Sequence, residues 1–163
     1  MPKIKLDATD YKILNLLQDN SRLKIKELSA KLNLSTTPIF ERIKKMERHG
    51  IIDRYIAVVN PEKLGIKLNA FAQISLKSHS KKEIKEFVQH IVKFSEVMEC
   101  HYVTGGYDFM LKVLVADIKE YNEFILDKLA DVPNIGKVES ALSLAVEKHS
   151  RVIPLKEEIT DSF

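Results

Sequence analysis

The sequence predicts an α+β chain of two modules. An N-terminal helix-turn-helix domain of winged-helix-like kind is followed by a ferredoxin-like βαββαβ domain. Three observations predict this. Residues 1–50 carry apolar residues at helical spacing, in three short blocks. From residue 68 onward, strand and helix patterns follow in the order β-α-β-β-α-β. Charge divides near the same place: residues 1–60 hold 12 Lys+Arg against 7 Asp+Glu, and residues 61–163 hold 14 against 16. A basic module that meets a polyanion, joined to a near-neutral module with another task, fits that asymmetry.

The first block, "LDATDYKILNLLQDN", reads as a helix. Asp7 is its cap, Asp10 stands in the first turn, and Leu6 can staple onto Tyr11. Ile13, Leu14, Leu16 and Leu17 form its apolar face. "LKIKELSAKLNLS" is a second helix with Ile25, Leu28 and Leu32 on one side, and Asn33 suits the left-handed exit. "STTPIFERIKKMERHG" is the third, capped by Ser35 or Thr37, with Pro38 in the first turn and Gly50 past the end. Ile39, Ile43 and Met46 face the core. At about 100° per residue the opposite face carries Thr37, Glu41, Lys44, Lys45 and Arg48, with Arg42 on its flank. A helix fits the DNA major groove, and Lys or Arg neutralise phosphates. The competing reading is a three-helix bundle with a solvated charged face.

"IIDRYIAVVN" reads as a strand or hinge, and "NPEKLGIKLN" as the linker. "LNAFAQISLK" is a strand. "SKKEIKEFVQHIVKF" is a helix with a Ser80/Glu83 capping box and a stripe of Ile84, Phe87, Val88 and Ile91. "EVMECHYVT" and "YDFMLKVLVA" flank Gly105-Gly106 as a hairpin. "DIKEYNEFILDKLA" is a helix capped by Asp117 that faces Tyr121, Phe124, Ile125 and Leu129 inward, and "KVESALSLAV" is the last strand. The expected division is residues 1–50 for the helix-turn-helix, 51–67 for strand and linker, 68–150 for the ferredoxin-like domain and 151–163 for a polar tail. One face of such a sheet lies uncovered, so a second copy is expected to cover it.

No catalytic constellation is present: no Walker loop, dinucleotide fingerprint or nucleophile elbow. No metal site or cofactor is expected. Cys100 and His101 are adjacent in a strand, so they point to opposite faces. One cysteine, no membrane-length apolar run and no signal peptide suit the cytoplasm.

With these motifs in view, the chain resembles the leucine-responsive regulatory protein/AsnC family, also called feast/famine regulators. "LDATDYKILNLLQDNSR" looks like that family's opening helix, "LSTTPIFERIKKMERHGII" like its recognition helix and exit, "NPEKLG" like its linker, and "HYVTGGYDFMLKVLVAD" like its strand-turn-strand signature. The resemblance runs nearly end to end. It implies a transcription regulator that binds double-stranded DNA. Its C-terminal domain, known as the RAM domain, would form a homodimer that gathers into tetramers, octamers or larger rings. Many members respond to a small amino acid bound at the junction between dimers.

The resemblance also assigns residues. It puts Ser35, Thr36, Thr37, Pro38, Glu41, Arg42, Lys44, Lys45 and Arg48 at the DNA, with Thr37 and Arg42 in the groove and Lys44, Lys45 and Arg48 at phosphates. Glu41 either accepts from a cytosine amino group or pairs with Lys45. The effector site would be lined by Gly105, Gly106, Tyr107 and Asp108. The loop and last strand, through Val132, Asn134, Ser140 and Leu142, would join them. Bare glycine lets a zwitterion approach backbone N–H groups. Asp108 either holds its ammonium or locks a loop. The same turn is also readable as a purely structural hairpin. Two further readings stand beside this one. The first is an architectural DNA-binding protein without an effector. The second is a siroheme decarboxylase of related fold, for which His101 is the only histidine near the sheet turn and the basic third helix has no use.

Overall fold

A computed structural model describes residues 5–155. Residues 1–4 and 156–163, the latter including most of the expected polar tail, lie outside the described residues. The chain divides into two compact units, residues 1–58 with 148–163, and residues 59–147.

The first unit is built on helices α1 (Ala8–Asp19), α2 (Ile25–Leu32) and α3 (Thr36–Arg48). Asp7 caps α1 reciprocally. Its carboxylate accepts from the Asp10 N–H at 3.0 Å, and the Asp10 carboxylate accepts from the Asp7 N–H at 3.1 Å. At the start of α2 the Glu27 carboxylate accepts from the Lys24 N–H at 2.6 Å. Asn33 then takes φ 53°, the left-handed turn between the second and third helices. Ser35 is the N-cap of α3, but no side chain makes the capping bond there. Past α3, Gly50 at φ 69° reverses the chain, so that the N–H groups of Ile51 and Ile52 both return to the Met46 carbonyl. Ile13, Leu14, Leu17, Leu28, Ile39, Ile43 and Met46 form the core.

Two features of this unit differ from the sequence reading. Residues 53–58, read from the sequence as strand or hinge, form no strand among the described residues. Residues 153 and 155, inside the expected polar tail, dock on the helices. Gln18 donates to the Ile153 carbonyl at 3.1 Å and accepts from the Ile153 N–H at 2.7 Å, and Leu155 packs against the three-helix core. A single polar residue, Gln18, supplies this anchor, and neither periodicity nor composition marks it.

The second unit holds β1 (Leu68–Leu76), α4 (Lys81–Ile91), β2 (Val97–Tyr102), β3 (Phe109–Val115), α5 (Ile118–Glu123) and β4 (Ile135–Leu142). The sheet is antiparallel in the order β2-β3-β1-β4, the ferredoxin-like arrangement. Alternate residues of β1 and β3, from Ala70 to Leu76 and from Phe109 to Val115, are buried. They meet Phe87 and Ile91 of α4 and Tyr121 of α5 in one core. Ser80 caps α4 and Asp117 caps α5, as their sequence positions predict.

The last helix is not one α-helix. After Glu123 the chain continues as a π-helical turn, Phe124–Leu129. In an α-helix, Leu129 stands about 140° round from Phe124, so the two would lie at opposite edges of the apolar stripe. The wider turn brings both inside, at 1% and 0% exposure. The other strand boundaries shift slightly: Tyr107 and Asp108 belong to the turn, and β4 ends at Leu142.

Candidate nucleic-acid interface and effector site

The third helix presents an unshielded polar face. Ser35, Thr36, Thr37, Pro38, Glu41, Lys44, Lys45 and Arg48 are all exposed, while Ile39, Ile43 and Met46 hold the helix to the core. Lys44 pairs with Glu47 at 2.8 Å. Glu47 also accepts from the Tyr55 hydroxyl at 3.1 Å. The Glu47 carboxyl lies below its usual range, through the Lys44 hydrogen bond first and despite burial. The Tyr55 hydroxyl is pushed up to about 12, by burial first and then by Glu47. No carboxylate pairs with Lys45 or Arg48 among the described residues, so Glu41 does not take Lys45 as its partner. Two cations and one carboxylate thus stand free on the helix face. The sequence reading passed over Phe40, which lies on this helix and is 45% exposed. The signal was present: Phe40 falls outside the 39-43-46 stripe.

Arg42 is placed differently from the expectation that it enters a groove. Its guanidinium Nη1 lies 2.6 Å from Asp7 and 2.7 Å from Asp10. Asp10 is 2% exposed, the one buried charged residue described. A carboxylate taken out of water needs a partner, and Arg42 supplies it. Asp10 and then Asp7 hold the Arg42 pKa above its usual value. Burial works against ionised Asp7, but the Asp10 N–H and Arg42 outweigh it and lower the Asp7 pKa. The flank position of Arg42, read from the sequence, is the reason: it faces α1.

At one end of the sheet lies the turn 103–108 between β2 and β3. Gly105 has φ 131°, which favours glycine, and a Cβ added at Gly105 or Gly106 would meet nothing within 4 Å. Gly105 and Gly106 are exposed, and Tyr107 is half-buried. Asp108 locks a loop. Its carboxylate accepts from the Leu76 N–H at 2.7 Å and meets the His79 Nε2 at 2.9 Å. Its own N–H donates to the Ile74 carbonyl at 2.8 Å. Asn134, at φ 70°, holds the same loop from the other side. Its side chain accepts from the Ser78 N–H at 2.9 Å and donates to the Ser78 carbonyl at 2.7 Å. Asp108 and Asn134 thus clamp residues 76–79 between them, and His79 joins a cluster that the sequence reading did not include.

The other residues expected around an effector separate from this end. Val132 is 4% exposed and packs in the core, so it offers no surface to a small molecule and instead supports the loop that carries Asn134. Ser140 lies opposite Ala72 and Leu142 opposite Ala70, farther along β1. Ser140 accepts from the buried Tyr121 hydroxyl at 2.8 Å. At about 3.4 Å per residue, Ser140 stands roughly 17 Å along β4 from Ile135. One unit alone therefore does not gather all eight residues.

Among the described residues no cluster of three or more His, Cys, Asp or Glu could hold a metal ion. Cys100 is half-buried, and burial pushes its thiol pKa up, away from the reactive thiolate. His101 lies on the opposite side of β2 and meets the Glu99 carboxylate at 3.0 Å. No helix of the described residues is long and apolar enough to cross a membrane.

Comparison with known proteins gives two family matches, the winged helix-turn-helix DNA-binding domain over residues 6–53 and the Lrp/AsnC ligand binding domain over residues 69–153. The chain is 36% identical to the transcriptional regulator AzlB of Bacillus subtilis over 154 residues, which span 94% of this chain and 98% of that one. It is also 36% identical to the leucine-responsive regulatory protein of Haemophilus influenzae, over 93% of this chain and 91% of that one. A crystal structure of a transcriptional regulator from Neisseria meningitidis in complex with L-Met superposes with a TM-score of 0.87. The identity is 34%, over 92% of this chain and 97% of that chain. An AsnC family transcriptional regulator from Agrobacterium tumefaciens superposes equally well at 0.87 and 37% identity, over 91% of this chain and 97% of that one.

Proposed function

The chain belongs to the Lrp/AsnC family of DNA-binding transcriptional regulators, and from that premise we propose that it binds duplex DNA through α3 and changes that binding in response to a small amino acid held at the 103–108 turn. Its relatives are transcriptional regulators, and nothing in its own residues calls for an enzyme's chemistry.

For the DNA, the support is the free cationic face of α3. Thr37 and Glu41 stand where side chains of a groove-seated helix reach base edges, while Lys45 and Arg48 neutralise phosphates. Arg42 acts behind that face by setting the pitch of α3 against α1.

For the effector, the observation that carries the reading is the open space over Gly105 and Gly106 beside the clamp of Asp108 and Asn134. Among the described residues, the backbone N–H groups of both glycines have no partner, so they are available to an amino acid's carboxylate. Asp108 is engaged by Leu76 and His79, so its part is to hold the loop 76–79 beside the turn rather than to receive the ammonium. The L-Met complex of the Neisseria relative favours a small amino acid over other effectors. Ser140 and Leu142 would reach such a site only from a neighbouring copy. A homodimer through the uncovered sheet face, assembling further, supplies that neighbour.

Calorimetric titration of L-methionine, and then of the other amino acids, into the full chain tests this. Saturable heat that Gly106→Ala weakens is expected. No heat from any amino acid would leave the architectural reading, DNA binding without an effector, in its place.

A further inference from the structure

We propose that Phe40 reads thymine in the major groove, through contact of its ring with the C5-methyl group, and so sets part of this chain's sequence preference. The inference rests on the DNA-binding reading of α3. Phe40 is 45% exposed and belongs to neither hydrophobic core, although its neighbour Ile39 is fully buried. An aromatic ring left in water on a helix that has a core available is costly, since burying such a side chain is worth about 1.5–3 kcal/mol. Its place on the exposed side of α3, beside Thr37, Glu41 and Lys44, puts it where a bound duplex would cover it. On α3, Phe40 stands one turn after Thr36 and one turn before Lys44, in the row beside Thr37 and Glu41. The Lys44 Nζ, which also pairs with Glu47, lies 5.9 Å from the ring centroid and sets one cation over the ring.

That surrounding selects the occupant. Lys44 lies over the ring, and Lys45 and Arg48 are exposed on the same helix without a carboxylate partner among the described residues, so a surface that covers this helix face is anionic overall yet offers a small apolar group to the ring. The floor of the DNA major groove has this character: phosphates at the rims and, at each A·T pair, a methyl that only thymine carries. A second copy of this chain would have to bring its own anionic surface. Thr37 and Glu41, beside the ring, can take polar base edges at the neighbouring pairs.

The test uses the full chain and a duplex that it enriches from a random pool, made once with thymine and once with uracil in every thymine position. Uracil keeps the hydrogen-bonding edge and lacks only the methyl. Wild type should bind the uracil duplex about fourfold more weakly for each methyl contacted. Phe40→Ala should bind both duplexes equally, and Phe40→Leu should keep part of the difference. Equal wild-type binding to the two duplexes would overturn the assignment. So would a uracil penalty undiminished in Phe40→Ala, which would trace it to DNA shape. A change of oligomeric state in Phe40→Ala without DNA, with no thymine preference in wild type, would instead place the ring between copies. If no duplex is enriched, the DNA-binding reading itself falls, and this inference with it.

Discussion

Arg42 of α3 grips the first turn of α1, reaching Asp7 at 2.6 Å and Asp10 at 2.7 Å. The residue that family resemblance puts in a DNA groove thus also ties α3 to α1, and we propose that this tie is its main part. Arg42→Ala should destabilise the N-terminal unit by about 2 kcal/mol, because it leaves the Asp10 carboxylate buried with only a backbone partner. Arg42→Lys should recover part of this, since an ammonium cannot reproduce a guanidinium's fork. Urea unfolding of each variant checks the order. An Arg42→Ala chain as stable as wild type, but deficient in specific DNA binding, would return Arg42 to the groove.

The same tie predicts how stability varies with acid. The Asp7 pKa lies below its usual value of 3.8, because its backbone bond to Asp10 and its contact with Arg42 outweigh burial. A lowered folded-state pKa adds stability above the unfolded value, and that stability is lost as pH falls through the folded one. Removing Arg42 raises the folded value. The acid unfolding midpoint of Arg42→Ala should accordingly lie at higher pH than that of wild type, by more than Asp7→Asn moves it. Circular dichroism between pH 2 and 5 reads this directly.

At the other end of the chain, Asp108 should prove structural before it proves functional. Asp108→Ala leaves the Leu76 N–H unpaired and frees His79, a loss of about 1–3 kcal/mol. Asp108→Asn keeps one acceptor and should cost less. Gly106→Ala should leave stability within about 0.5 kcal/mol of wild type, since its Cβ meets open space, yet should weaken the response to an amino acid. Thermal melts alongside effector titrations separate the two roles. A response that survives in Gly106→Ala would move the site away from the turn.

Phosphate contacts should show in the salt dependence of DNA affinity. Lys45→Ala and Arg48→Ala should each reduce the slope of log K against log salt by about one. Lys44→Ala should reduce it less, because Lys44 is already paired with Glu47. Unchanged slopes for Lys45→Ala and Arg48→Ala would show that another surface meets the DNA.

The legible parts of the molecule were those set by local chemistry. Asp7, Ser80 and Asp117 announce helix starts, Asn33 and Gly50 announce helix exits, and alternation announces β1 and β3, the two central strands of the sheet. The polar face of α3 follows from its period. What could not be read depends on partners distant in sequence. Arg42 meets Asp7 and Asp10 across the fold, Gln18 meets Ile153 across 135 positions, and Asn134 meets Ser78 across 56. The π-helical turn leaves no mark in the pattern, because Tyr121, Phe124, Ile125 and Leu129 also fit one α-helical stripe at i, i+3, i+4 and i+8. Phe40 was overlooked for the opposite reason: an apolar residue beside a core residue passes for core.

A small amino acid held at the 103–108 turn should alter how strongly this chain holds DNA. Fluorescence-anisotropy titration of a duplex enriched by the protein, with each of the twenty amino acids in turn, tests it most directly. At least one, L-methionine being the first to try, should shift the midpoint by about fivefold or more, a coupling of roughly 1 kcal/mol. Tight binding with twenty coincident midpoints would contradict it, and would leave a DNA-binding protein whose glycine turn is only a hairpin.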